Sequence, residues 1–308
     1  MMRWKGVMPA MTTCFDQELQ VDHSFMRQHA ELLVNSGCTG LVMLGSLGEG
    51  AALDPREKRS ILRNMVEAAG RRVPIIAAIS ALTTAEAVRL AQNARETGCT
   101  GLMVLPPYIY KGDWRETKTY ISSVLRSTPL SAMLYNNPVA YGTDFLPEQI
   151  AELAEEHENL HAVKESSTDV RRVSAIRALT GDRLSIFVGV DDAIVEGVAA
   201  GASGWIAGLV NAFPVESVAL FDFATADQRR EAFDLYRWFL PLLRMDTVPK
   251  FVQLIKFVQA EVGLGNMRVR PPRLELAGDE REHARGILQH ALRTRPVLTG
   301  ELHTEQIL

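Results

Sequence analysis

Apolar and polar positions along the chain alternate between two patterns. Short, mostly apolar runs recur near 7–13, 40–44, 73–79, 101–105, 132–135, 160–164, 185–190 and 204–209. Such runs suit strands covered on both faces. Between them lie longer amphipathic stretches with helix punctuation. Asp54-Pro55-Arg56-Glu57 offers an N-cap followed by proline at the first helical position. Thr83 and Glu86 stand at capping-box spacing, and Asp22-His23-Ser24-Phe25 opens the first helix.

The chain also echoes itself. Ser36-Gly37-Cys38-Thr39-Gly40-Leu41-Val42-Met43-Leu44 returns as Thr97-Gly98-Cys99-Thr100-Gly101-Leu102-Met103-Val104-Leu105. A looser copy runs Ala200-Gly201-Ala202-Ser203-Gly204-Trp205-Ile206-Ala207-Gly208. Each copy ends a helix on a glycine that can take the left-handed cap, then enters an apolar strand. Strict alternation of strand and helix means a parallel sheet. Eight units in about 220 residues fit a closed (β/α)8 TIM barrel. The pattern then changes: 226–244, 248–263 and 279–293 read as helices with no strand between them. The expected organisation is a barrel carrying the active site over 1–225 and a C-terminal helical region over 226–308. Residues 270–273 form a loop, and the tail after Pro296 reads as mobile.

Composition narrows the function. Of 308 residues, 47% are apolar and 23% charged, with a net charge of −4, so neither nucleic acid nor membrane is an expected partner. The N-terminus lacks a signal-peptide pattern, and a cytoplasmic location is expected. Cys14, Cys38 and Cys99 are too few and too scattered for a disulfide framework or a metal site, and read as small core residues.

Barrel chemistry sits at the C-terminal ends of the strands. Lys164 ends the sixth apolar run, in Val163-Lys164-Glu165-Ser166. An inward-facing lysine there loses hydration for its charge, and burial favours the neutral, nucleophilic amine. His161 and Glu165 alternate away from it. Tyr135 ends the fifth run and is placed to relay protons or hold a substrate oxygen. Gly45-Ser46-Leu47-Gly48-Glu49-Gly50 follows the second run and can turn successive N–H groups toward a carboxylate, with Glu49 bracing the loop. Asp191 and Asp192 follow the seventh run, where they oppose a phosphate. Tyr108 and Tyr110, after Pro106-Pro107, suit either the site mouth or a subunit contact. Each of these residues also has a plain structural reading as barrel-top packing or loop closure.

Taken in order, Gly-Ser-x-Gly-Glu, Pro-Pro-Tyr, Tyr-Asn-x-Pro and Val-Lys-Glu-Ser resemble the dihydrodipicolinate synthase/N-acetylneuraminate lyase family of class I aldolases, from about Gly6 to the C-terminal helices. The resemblance implies that Lys164 forms the Schiff base and that Tyr135 handles protons at the imine carbon. It implies that Ser46 and Leu47 bind the carboxylate of a 2-oxo acid and that the Ile206 carbonyl faces the site. It further implies that no cofactor is needed beyond the covalent Schiff base, and that the chain forms a homotetramer built from two tight dimers.

The departures bear on the reaction. Dihydrodipicolinate synthases carry a second threonine where this chain has Leu47, a relay tyrosine where it has Ile109, and a carboxylate-binding arginine where it has Ala140. Dihydrodipicolinate synthesis is therefore not expected. The remaining pattern, with Trp205, is most similar to the hydroxyproline-degradation branch, which converts 1-pyrroline-4-hydroxy-2-carboxylate to 2-oxoglutarate semialdehyde and ammonia. Asn137, beside Tyr135, is then a candidate contact for the 4-hydroxyl. Two alternatives stay open. One is a pyruvate-dependent aldolase or dehydratase of a 2-keto-3-deoxy sugar acid or a sialic acid. Another is a non-catalytic barrel that binds an oxo acid. A metal-dependent aldolase is disfavoured, because the strand ends lack a His/Asp/Glu ligand set.

Overall fold

The computed structural model describes residues 2–298. Its strands are β1 (Gly6–Pro9), β2 (Leu41–Met43), β3 (Ile75–Ile79), β4 (Gly101–Val104), β5 (Ser131–Asn136), β6 (Leu160–Glu165), β7 (Ser185–Val188) and β8 (Gly204–Ala207). All pair in parallel in the order β1-β8-β7-β6-β5-β4-β3-β2. A parallel bridge between Ala10 and Val42 joins the ends of that series and closes the barrel. Each expected run coincides with a strand: β1 starts one residue before its run and ends within it, β5 overruns its run by one residue at each end, β6 overruns by one, and the other five are shorter by one or two residues.

Helices follow the strands: α1 (His23–Asn35), α2 (Pro55–Ala69), α3 (Thr84–Glu96), α4 (Trp114–Arg126), the single-turn α5 (Pro138–Tyr141), α6 (Pro147–Glu156), α7 (Arg171–Thr180), α8 (Ile194–Ala199) and α9 (Pro214–Thr225). Asp54 caps α2 by accepting from the Arg56 and Glu57 amides at 2.7 and 2.9 Å, while Glu57 returns a bond to the Asp54 amide at 2.9 Å. Asp22 likewise caps α1 through the Phe25 amide at 2.9 Å. At α3 only half of the expected box forms: the Thr83 hydroxyl accepts from the Glu86 amide at 3.2 Å, and Glu86 makes no return bond. The three repeat glycines take the left-handed cap that the sequence requires, with φ of +96° at Gly37, +91° at Gly98 and +105° at Gly201.

Alternation along the strands splits the apolar residues into two cores. One fills the barrel interior with Met8, Val42, Ile76, Ala78, Met103, Met133, Ala162, Phe187 and Ile206. The other lies between strands and helices, and Cys14, Cys38 and Cys99 are buried free thiols within it. Burial holds the Cys38 and Cys99 thiols up, to about 12 and about 11, so neither is a nucleophile near neutral pH.

The C-terminal region forms α10 (Arg229–Leu243), α11 (Phe251–Glu261) and α12 (Gly278–Arg293). Phe239 and Trp238 of α10 meet Phe213, just before α9, edge to face at 5.8 and 6.1 Å. Leu235, Leu242, Ile255 and Phe257 share one continuous core with the barrel helices. Residues 299–308, which include most of the tail expected to be mobile, lie outside the described residues. Among the described residues, no helix is long and apolar enough to cross a membrane.

Candidate active site

Lys164 is the inward residue at the C-terminal end of β6, two positions beyond Ala162 of the interior core. It is 7% exposed. Parallel pairing sets it directly beside Tyr135 of β5, and its Nζ lies 4.2 Å from the centre of that ring. Gly189, just past β7, gives the lysine its path: a Cβ there would fall 2.5 Å from Lys164 Cε and 2.0 Å from Ser166 Oγ. Ser166 Oγ is buried without a hydrogen-bond partner.

Tyr135 is held by Asn137, whose amide nitrogen donates to the Tyr135 hydroxyl at 3.0 Å. Asn137 Oδ1 meanwhile caps α5 by accepting from the Ala140 amide at 2.9 Å. Both ends of Asn137 are thus engaged within the protein. The capped turn swings Tyr141 inward, where its ring stands edge to face with Tyr135 and tilted against Tyr108, each with centroids 5.7 Å apart. Its hydroxyl is hydrogen-bonded to Ser46 Oγ. Burial first, and then the neighbouring Tyr135, push the Tyr141 phenol above its ordinary range. Tyr135, Tyr141 and Ser46 therefore form a connected run of hydroxyl-bearing side chains beside the lysine. Tyr141 lies three residues beyond the Tyr-Asn-x-Pro motif and belongs to none of the four motifs that mark the site in the sequence. The signal that could have found it was the proline-started turn Asn137-Pro138, which reverses the chain toward the barrel mouth.

The glycine loop after β2 is fixed from outside. Glu49, fully buried at φ +53°, accepts from Lys256 Nζ at 2.6 Å and from the Arg270 amide at 2.9 Å. Lys256 lies on α11, so the C-terminal region clamps the loop that carries Ser46 and Leu47. The Leu47 side chain is buried in the outer core, whereas the Ser46 hydroxyl turns to Tyr141. Ile206 sits in the interior row, two strands from Lys164.

Asp191 faces inward to the protein, not to a ligand. It accepts from Trp205 Nε1 at 3.0 Å and from the Gly208 and Leu209 amides at 3.1 and 3.0 Å, and so staples the end of β8. Glu165, expected to alternate away from the lumen, is buried and accepts from Asn136 Nδ2 at 2.9 Å and the Ser167 amide at 2.6 Å. The two tyrosines that follow Pro106-Pro107 separate. Tyr108 joins the aromatic cluster, whereas Tyr110 is 59% exposed and gives its hydroxyl to Glu116 at 3.1 Å. Ile109 is 83% exposed at φ +69°. Ala140 is exposed on α5 and brings no charge to the site. Among the described residues, no three His, Cys, Asp or Glu side chains are grouped to hold a metal ion.

Known proteins share the sequence pattern and the fold of this chain. A 4-hydroxy-tetrahydrodipicolinate synthase of Geotalea daltonii is 31% identical over 274 residues, covering 89% of this chain and 93% of its own. A probable 2-dehydro-3-deoxy-D-pentonate aldolase of Escherichia coli is 30% identical over 298 residues, covering 94% of this chain and 97% of its own. The crystal structure of a putative dihydrodipicolinate synthetase from Pseudomonas aeruginosa superposes with a TM-score of 0.89 at 29% identity, over 94% of this chain and 100% of that one. The model of the dihydrodipicolinate synthetase family matches residues 3–291, and the chain belongs to that family of lyases.

Proposed function

We propose that the chain is a Schiff-base enzyme in which Lys164 attacks the imine carbon of 1-pyrroline-4-hydroxy-2-carboxylate, yielding 2-oxoglutarate semialdehyde and ammonia. The observation that carries the lysine chemistry is the placement of Lys164 inside the barrel mouth with its amine over Tyr135. Addition of the amine to the ring imine carbon, followed by loss of the ring nitrogen from that carbon, leaves a protonated Schiff base on Lys164. That iminium acidifies the adjacent C3–H, because the enamine formed on its loss delocalises the electron pair. Expulsion of the 4-hydroxyl, tautomerisation toward the carbon bearing the freed amine, and hydrolysis at both nitrogens complete the reaction. The balance is one substrate and one water to one semialdehyde and one ammonia.

Tyr135 is the proton carrier closest to the lysine, and Tyr141 with Ser46 gives it an outlet. The Ser46-Leu47 backbone holds the carboxylate, and Tyr108 lines the mouth. No cofactor is required by this route. The substrate assignment rests on what the site lacks: no cation stands at Ala140 to receive a second carboxylate. A homotetramer of two tight dimers belongs to the same reading. Exposed Ile109 and Tyr110 are its expected contact residues, and sedimentation would test the assembly.

A second reading keeps Lys164 and changes the bond. The Escherichia coli pentonate aldolase relative favours carbon–carbon cleavage of a 2-keto-3-deoxy sugar acid with release of pyruvate. Borohydride reduction after incubation with the pyrroline, and separately with pyruvate, decides among these. A Lys164 adduct with ammonia released supports the deaminase. An adduct without ammonia, together with pyruvate release from a keto-deoxy sugar acid, supports the aldolase. No adduct with either compound, where a known Schiff-base enzyme is trapped, overturns both.

A further inference from the structure

The C-terminal region sends one group to the barrel mouth that the steps above leave unused. After α10 the chain makes a tight turn over Arg244–Asp246, and this turn packs against the Asp191–Ala193 turn that follows β7. Asp246 lies directly on Gly208 at the end of β8: a Cβ on that glycine would fall 2.1 Å from Asp246 Oδ1. The neighbouring strand end is Gly189, over which Lys164 runs. Asp246 and Lys164 thus approach the same sector of the mouth, one from above β8 and the other from β6.

Asp246 Oδ1 is buried and has no hydrogen-bond partner. A buried carboxyl oxygen left unpaired is costly unless something else completes it. Burial raises Asp191, the acid beside it, to about 6, and three N–H donors hold it from rising further. Asp246 has no such support. Burial, and then the Asp191 carboxylate, hold it well above the usual carboxylate range, with Lys164 opposing. Two acids so close cannot both ionise readily, and the unsupported one keeps its proton.

We propose that Asp246 is the catalytic acid that protonates the departing 4-hydroxyl, which makes the site an eliminating one rather than a carbon–carbon-cleaving one. The inference rests on the Schiff-base reading above. The enamine electron pair on Lys164 moves into the C3–C4 bond, the iminium re-forms, and the C4–O bond breaks with its pair on oxygen. The Asp246 proton turns that oxygen into water, and the carboxylate left behind is reprotonated from solvent after product leaves. An aldol cleavage would need the opposite, a group that removes the proton from the 4-hydroxyl, and an acid that already holds its proton cannot do so.

The test compares Asp246→Asn and Asp246→Glu with the wild-type chain on 1-pyrroline-4-hydroxy-2-carboxylate in deuterated water. In Asp246→Asn, the borohydride-trapped Lys164 adduct and deuterium exchange at C3 are expected to persist while ammonia release falls at least about 100-fold. Asp246→Glu, which keeps a carboxyl, is expected to recover at least tenfold over the asparagine variant. Ammonia release from Asp246→Asn within threefold of wild type overturns the assignment and leaves the Schiff-base reading intact. A glutamate variant no better than the asparagine one also overturns it. A wild-type chain that forms no adduct fails the reading itself, and the inference with it.

Discussion

The Asn137 amide donates to the Tyr135 hydroxyl at 3.0 Å while the other end of the same side chain caps the following turn. One residue therefore fixes the orientation of the phenol proposed to carry protons and the direction of the chain that brings Tyr141 to it. A donor into the Tyr135 oxygen leaves the phenolic hydrogen free to point at a substrate or at Tyr141. Asn137→Ala removes both bonds. Turnover is expected to fall by roughly 10–100-fold, with the Michaelis constant changed less than threefold, because the loop proposed to hold the carboxylate stays braced at Glu49 by Lys256 and the Arg270 amide. A large rise in the Michaelis constant at unchanged turnover would instead make Asn137 a substrate contact.

Tyr141→Phe separates the relay from the packing. The phenylalanine ring keeps its contacts with Tyr135 and Tyr108, and only the hydroxyl bonded to Ser46 is lost. A tenfold or greater loss of turnover is expected, on the order of what a positioned proton carrier contributes. Ser46→Ala should cost a similar amount, and the double variant little more than either single one, since both break one chain. Strictly multiplicative losses would show that the two hydroxyls act separately.

The clamp on the glycine loop is a stability device. Lys256 and Glu49 are 2% and 0% exposed and meet at 2.6 Å, with Lys256 Nζ also over the Phe15 ring at 4.4 Å. Lys256→Met leaves a buried carboxylate with only the Arg270 amide and a distant Arg273, 3.9 Å away, for support. Removing one partner of a buried pair costs about 3–5 kcal/mol, or a fall of about 5–10 °C in melting temperature for a chain of this size. The double variant Lys256→Met/Glu49→Gln is expected to recover part of the loss, because it no longer buries an uncompensated charge. Calorimetry that finds Lys256→Met within about 1 °C of wild type would sink the clamp.

Much of this architecture was legible because parallel strands buried on both faces read as mostly apolar runs, and because Gly37, Gly98 and Gly201 need a backbone that few other residues adopt. The helix α9 was not legible. Pro214, Val218, Ala219, Leu220 and Phe221 are buried along with Glu216 and Ser217, so no polar stripe marks a period. The site residues that project along their own strand, Lys164 and Tyr135, could be placed from strand ends alone. Tyr141, Lys256 and Asp246 could not, because each reaches the barrel mouth from a different element. Their partners Ser46, Glu49 and Gly208 stand 95, 207 and 38 positions away along the chain. Only the closed fold brings those distances to zero.

His29 sets a limit on acid stability. It lies on α1, stacked on Phe25 at 5.7 Å, with Nε2 3.4 Å from both Asn211 Oδ1 and Gln259 Nε2. Burial holds its pKa down at about 4, against an ordinary 6.5, with the Asn211 contact opposing weakly. Between those two values the unfolded chain binds a proton at this site and the folded chain does not. Stability is therefore fully present above pH 6.5 and is lost as pH falls toward 4. The loss at pH 4.5 amounts to about 2–3 kcal/mol. His29→Gln cannot take up that proton in either state. Urea unfolding at pH 7.5 and pH 4.5 should show wild type losing about 2–3 kcal/mol more than the variant between the two conditions. The carboxylates titrate alike in both proteins and drop out of the difference. Equal losses would mean that His29 is protonated in the folded chain, and that α1 packs against Asn211 and Gln259 more loosely than the structure describes.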